Sequence, residues 1–194
     1  MRRKILAVVC MSLLAVPAWP QAAPRPTYIA SVAAQATTAA ILLSIEAPTS
    51  TGLKLIGWCV GTTSATAAAG ITVTVQRRTT ASSLGTALTA EGTGTTAVSK
   101  LDPGYANFPG VARLGGTPGT AGAVLDQHGF MVGEIGAGTA DPGGPLPFCR
   151  IYGQGGEHYP TVAAGVANGL SINLSAAGAG GLAFGSITAI VVVE

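Results

Sequence analysis

The chain reads as an all-β protein. The expected form is a two-sheet antiparallel sandwich with under roughly a tenth of its mature length in helix, against ~30–35% for an average globular domain. Three observations predict it. Apolar and polar residues alternate with period two near both ends, most cleanly at Ile71-Thr72-Val73-Thr74-Val75-Gln76 and Leu170-Ser171-Ile172-Asn173-Leu174-Ser175. No stretch carries the i, i+3, i+4 apolar stripe of an amphipathic helix. Turn signals rich in Gly and Pro separate about eight strand candidates, the spacing of a sandwich or barrel.

Taken in order, residues 1–23 read as a secretory signal peptide or an N-terminal arm. Arg2, Arg3 and Lys4 form a positive start and Ile5 to Val16 an apolar run. A cut fits after Ala18 or after Ala22. Cys10 follows Ala7-Val8-Val9, which is not the small-residue context of a lipid-anchored cysteine. Residues 24–194 then form one β-sandwich domain. Ala30 to Ala40 and Ala65 to Ala69 are alanine-rich, but Thr or Ser interrupts both. Strands are expected where Ile41, Leu43 and Ile45 alternate with Leu42, Ser44 and Glu46. They are also expected where Leu53, Leu55 and Cys59 alternate with Lys54, Ile56 and Trp58. Phe130 to Val132 and Phe148 to Tyr152 are two further short strands. The last strand, Ser186 to Val193, is apolar on both faces and belongs in the middle of a sheet or in an interface. Pro103 to Gly122, Gly133 to Pro147 and Ala176 to Gly181 read as loops, with Gly119 in the first taken as exposed.

Charge is scarce. Only 9% of residues are Asp, Glu, Lys or Arg, where a soluble domain has about 25%. Removing the leader leaves seven cations against eight carboxylates, a net charge of −1. No basic patch remains, so nucleic acid is disfavoured as a partner. No apolar run in residues 24–194 is long enough for a membrane-spanning helix. A weakly charged surface dissolves poorly as a free monomer, which points to packing against copies or other subunits.

No constellation of residues points to an enzyme or to a cofactor. His128 with Asp126 and His158 with Glu157 could meet as a metal site, but the spacing matches no established ligand pattern; two solvated loop histidines are the better reading. Gly178-Ala179-Gly180-Gly181-Leu182-Ala183 matches a loose dinucleotide pattern, yet a strand rather than a helix follows it. No phosphate-binding loop or nucleophile elbow is present. Tyr105, Phe108, His128, Tyr152, His158 and Tyr159 fall in or near expected loops and are candidate loop contacts, either for a glycan or for a neighbouring subunit. Arg77-Arg78 stands at a strand end, solvated or paired across subunits. Cys59 and Cys149 are expected to pair. Cys59 would share a face with Leu55 and Cys149 with Ile151, both pointing inward, so the bridge would join the two sheets across the core.

Several stretches in order resemble a loose family of phage virion jelly-roll proteins of the surface or head-decoration type. They are Thr51-Gly52-Leu53-Lys54-Leu55-Ile56-Gly57-Trp58, Val75-Gln76-Arg77-Arg78-Thr79-Thr80 with Gly85-Thr86-Ala87-Leu88-Thr89, Lys100-Leu101-Asp102-Pro103, and Gly169-Leu170-Ser171-Ile172-Asn173-Leu174 with Gly185-Ser186-Ile187 and Val193-Glu194. The resemblance covers residues 50–194. It implies a jelly-roll-like sandwich of eight strands, often trimeric, with no catalytic residues to carry over. The expected role is a non-enzymatic, self-associating structural subunit of a particle, filament or surface layer, and the alternative is a secreted ligand- or glycan-binding module. The leader departs from the family, whose members assemble in the cytoplasm. It favours a secreted, periplasmic or cell-surface location, with the virion as the alternative.

Overall fold

A computed structural model describes residues 25–36, 41–64, 69–83, 85–90, 97–115, 117, 119–132, 148–156, 158–174 and 183–194. The expected leader and the expected loops at 133–147 and 176–181 lie outside these residues, as does Glu157.

The described chain is built of strands: β1 (Thr27–Ala36), β2 (Ile41–Glu46), β3 (Leu53–Ser64), β4 (Ala69–Arg78), β5 (Thr86–Ala87), β6 (Thr89–Ala90), β7 (Ala97–Lys100), β8 (Val111–Leu114), β9 (Ala121–Val132), β10 (Phe148–Ile151), β11 (Thr161–Val162), β12 (Gly169–Leu174) and β13 (Ala183–Val193). The one helical segment among the described residues is a 3-10 turn at Gln154–Gly156. Sheet I runs β10-β3-β13-β1-β7-β6, with β11 also on β3. Sheet II runs β5-β8-β2-β12-β4-β9.

Eight of these strands carry the architecture. β1 pairs with β13, β2 with β12, β3 with β10 and β4 with β9, all antiparallel. First thus meets last and each inner pair nests inside the outer one, as if a single long hairpin had been rolled up. The roll closes where β13 also pairs with β3 and β12 with β4. This is the double-sheet order of a jelly roll, and it bears out the expected antiparallel sandwich, with thirteen described strands in place of about eight. The remaining short strands are additions. Four of them lie in the β4–β9 connection, including the parallel β6–β7 pair.

The core lies between the sheets and follows the period-two pattern. Leu43, Ile45, Val73, Val75, Leu170 and Ile172 of sheet II face Leu53, Leu55, Trp58, Val60, Ile187, Ala189 and Val191 of sheet I, each at most 2% exposed. Burying each large side chain contributes roughly 1.5–3 kcal/mol. β13 sits between β3 and β1, in the middle of its sheet as its two apolar faces require. The alanine-rich start of the chain forms β1, because Tyr28, Ala30 and Val32 alternate inward against β13. β8 occupies what the sequence marks as a loop.

The two flanks of the sandwich close differently. On one, residues 86–90 cross from sheet to sheet. Thr86 and Ala87 pair with β8, Thr89 and Ala90 with β7, and Leu88 between them is buried in the core. On the other flank β9 and β10 end their sheets among the described residues, and side chains from the two edges meet across it.

The outer face of sheet II is partly covered by residues 79–83 and 119–120. Arg78, 6% exposed, donates to Ser171 Oγ (2.7 Å), Asn173 Oδ1 (3.2 Å) and the Gly119 carbonyl (3.1 Å). Burial holds its guanidinium below the ordinary pKa. Glu46, also buried, accepts from the Ser82 backbone N–H at 2.8 Å. Arg78 is therefore an internal fastening rather than half of a solvated pair. Gly119 is buried as well: a Cβ there would meet the Thr80 carbonyl.

Candidate functional site: the groove at the open flank

Two β-bulges shape the open flank. On β3, Ile190 faces Gly57 and Val191 faces Leu55, so Ile56 is an extra residue. On β9, Val75 faces Asp126 and Gln76 faces Val124, so Leu125 is extra. One inserted residue flips every side chain beyond it to the other face. On β3 the flip turns Trp58 and Val60 inward and Cys59 outward. On β9 it turns Asp126, His128 and Phe130 inward, opposite Val75, Val73 and Ile71.

The disulfide follows this phase. Cys59 and Cys149 are bonded, as expected, with Cα atoms 4.0 Å apart. They are directly opposed on neighbouring strands of one sheet, and Cys149 is exposed. The bridge thus lies on the outer face of sheet I and clamps the edge strand β10 to β3. The expected inter-sheet bridge is corrected by the Ile56 bulge. Cys149 does share its face with Ile151, but that face points outward.

Between the edges of β9 and β10 the contacts grade from apolar to polar. Phe130 and Phe148 stack with centroids 5.0 Å apart. His128 lies 5.9 Å from the Phe148 ring and 6.4 Å from that of Trp58. His128 is thus an inward-facing strand residue and not a solvated loop histidine. Beyond it the Trp58 indole N–H donates to the Tyr152 hydroxyl (3.0 Å), which donates to Asp126 Oδ2 (2.6 Å). Asp126 Oδ1 accepts from the Gln127 N–H at 2.9 Å and lies 3.2 Å from His128 Nε2. Arg150 Nε is 3.7 Å from Asp126 Oδ2. Burial, and then the bond to Asp126, push the Tyr152 phenol above its ordinary pKa, and the Trp58 N–H offsets this in part. Inward charges on both edge strands also discourage a further strand from adding there.

A groove of about 380 Å³ opens beside this cluster. Arg77, Leu125, Asp126, Arg150, Tyr152, His158, Tyr159, Pro160 and Thr161 line it. The segment between Tyr152 and Pro160 leaves β3 at the Ile56 bulge: Tyr152 N donates to Ile56 O (2.8 Å) and Leu55 N to Pro160 O (2.9 Å). Gly153 has φ 80°, and a Cβ there would strike the Tyr159 ring, so the turn needs glycine. Lys54 Nζ lies 4.1 Å from the Tyr159 ring centroid. Arg77 donates to the Thr161 carbonyl at 3.0 Å.

Of the residues singled out from sequence, the structure brings Tyr152, His158 and Tyr159 together at the groove, with His128 behind them. Tyr105 and Phe108 lie elsewhere. Phe108 is 8% exposed and packs edge-on against Tyr28 (5.1 Å), whose hydroxyl donates to the Ala106 carbonyl. It anchors its loop and is not a surface contact. Arg150 and Asp126 as an inward pair were not legible in the sequence. Gly57 inside a strand pattern was the available sign of the bulge that sets the phase. Among the described residues no three His, Cys, Asp or Glu side chains converge as metal ligands. No helix there is long and apolar enough to cross a membrane. No protein-family model, curated protein or solved structure matches the chain.

Proposed function

We propose that this protein is a non-enzymatic structural subunit that associates with copies of itself, in a particle, filament or surface layer, through the outer face of sheet I. The observation that carries this reading is a pair of uncharged rows in register across five strands of that face, all at least partly exposed except Gly57 and Ala97. Ser99, Ile29, Ile190, Gly57 and Ile151 form one row, and Ala97, Ser31, Thr188, Cys59 and Cys149 the next. Neither row holds a charged residue. Several of the few charges are directed elsewhere: Glu46 and Arg78 beneath the cover of sheet II, and Asp126 and Arg150 into the open flank. Such a face can pack on a neighbour with little cost from stripping water off ions.

The glycan-binding alternative through aromatic stacking has less support. Tyr152 is 5% exposed and offers no ring face, and Lys54 covers one face of Tyr159.

Size-exclusion chromatography with light scattering tests the proposal. The expected result is a mass several-fold that of one chain, returned to the monomer by Ile190→Asp with little change in melting temperature. A wild-type protein that stays monomeric at high concentration overturns it.

A further inference from the structure

We propose that the groove at the open flank binds a small polyhydroxylated carboxylate, a sugar acid taken either free or as the end unit of an acidic glycan. Four separate segments converge to build it: the end of β4, the bulge of β9, the exit of β10, and residues 158–161. Among the described residues its cations outnumber its anions: Arg77 and Arg150 line it against one carboxylate, that of Asp126, which Arg150 Nε approaches at 3.7 Å. The Asp126 oxygens already accept from Tyr152 and from the Gln127 backbone, and His128 stands 3.2 Å away. A guanidinium presents a planar fork of donors that matches a carboxylate.

The rest of the lining suits the remainder of such a ligand. Tyr159, Thr161 and His158 supply hydrogen-bonding groups, and Leu125 and Pro160 supply apolar wall. The volume lies in the range of small-molecule sites and exceeds what a bare ion needs. Discrimination against phosphate comes from the sugar hydroxyls, which the polar groups of His158, Tyr159 and Thr161 can meet and a bare phosphate lacks. The site is held in place before any ligand arrives. The disulfide fixes β10 one residue before Arg150, the Gly153 turn seats Tyr159, and two backbone bonds to Leu55 and Ile56 tie down both ends of the loop.

Calorimetric titration of the full chain with glucuronate, glucose and inorganic phosphate tests this. Saturable binding of glucuronate is expected, with none of glucose and weaker binding of phosphate. Arg150→Gln and Arg77→Gln should each weaken glucuronate by about tenfold or more. Arg77 is exposed and its exchange leaves the core untouched, so that variant keeps the test decisive if Arg150→Gln does not fold. A tetrasaccharide ending in glucuronate that binds tighter than the monosaccharide assigns the glycan end; equal or weaker binding assigns the free sugar acid. Absence of saturable glucuronate binding, wild-type binding by Arg77→Gln, or phosphate bound as tightly as glucuronate overturns the proposal.

Discussion

Tyr152 donates its hydroxyl proton to the Asp126 carboxylate at 2.6 Å, and the two residues belong to different sheets. Tyr152 directly follows β10 of sheet I, and Asp126 lies on β9 of sheet II. The same hydroxyl accepts from the Trp58 indole at 3.0 Å. One phenol therefore satisfies a buried donor and an inward carboxylate at the flank where, among the described residues, β9 and β10 end their sheets. Tyr152→Phe leaves both without that partner and should cost about 1–3 kcal/mol. Urea unfolding of the two proteins at neutral pH measures it.

The same phenol predicts an alkaline limit to stability. Burial and the Asp126 bond hold its pKa above the ordinary 10.0. The folded state therefore keeps a proton that the unfolded chain releases as pH passes 10. The contribution is complete below pH 10 and declines above it. Urea midpoints followed from pH 8 to 11 should fall above pH 10, and fall less steeply in Tyr152→Phe. Parallel curves for the two proteins would refute the assignment.

The disulfide closes a loop spanning 90 residues, which by chain entropy alone stabilises by about 4–5 kcal/mol. Because Cys149 is exposed on the outer face of the single chain, reductant should reach the bridge of the monomeric Ile190→Asp variant without unfolding the core. The reduced protein is expected to keep its strand spectrum and melt lower. Maleimide should label neither cysteine in the unreduced, denatured chain and both after reduction.

Val191 is fully buried at the centre of sheet I. Val191→Asp places an unpaired carboxylate in the core and should destabilise by more than about 4 kcal/mol. Ala163→Asp, on an exposed loop, should shift the melting temperature little. Gly119 cannot serve as that control, because the Thr80 backbone fills the space a side chain would need.

Arg78 bridges two strands of sheet II and the segment that covers them. Arg78→Met keeps much of the volume but strands Ser171, Asn173 and the Gly119 carbonyl, and should cost roughly 2–4 kcal/mol. Amide exchange should rise first in residues 79–83 and 119–120, the segment released from the sheet.

The sequence by itself determined the class of fold and most of its core. Strands with one wet face must alternate, and Ile71 to Gln76 and Leu170 to Ser175 do so visibly, while the run of β13, apolar on both faces, marked a strand for the middle of a sheet. Cys59 and Cys149, the two cysteines that follow the expected leader, marked each other as partners. The tertiary structure alone decided which way the residues beyond each bulge point. A strand tolerates an extra residue at Ile56 or Leu125 only if its neighbours can absorb it, and those neighbours are distant in sequence. That single-residue shift sends Cys59 out, Trp58 in, and Asp126 and His128 toward Arg150 and Phe148. The groove exists for the same reason: Arg77, Asp126, Arg150 and Tyr159 share no local pattern, and only the rolled pairing of β4 with β9 and β3 with β10 brings them to one flank.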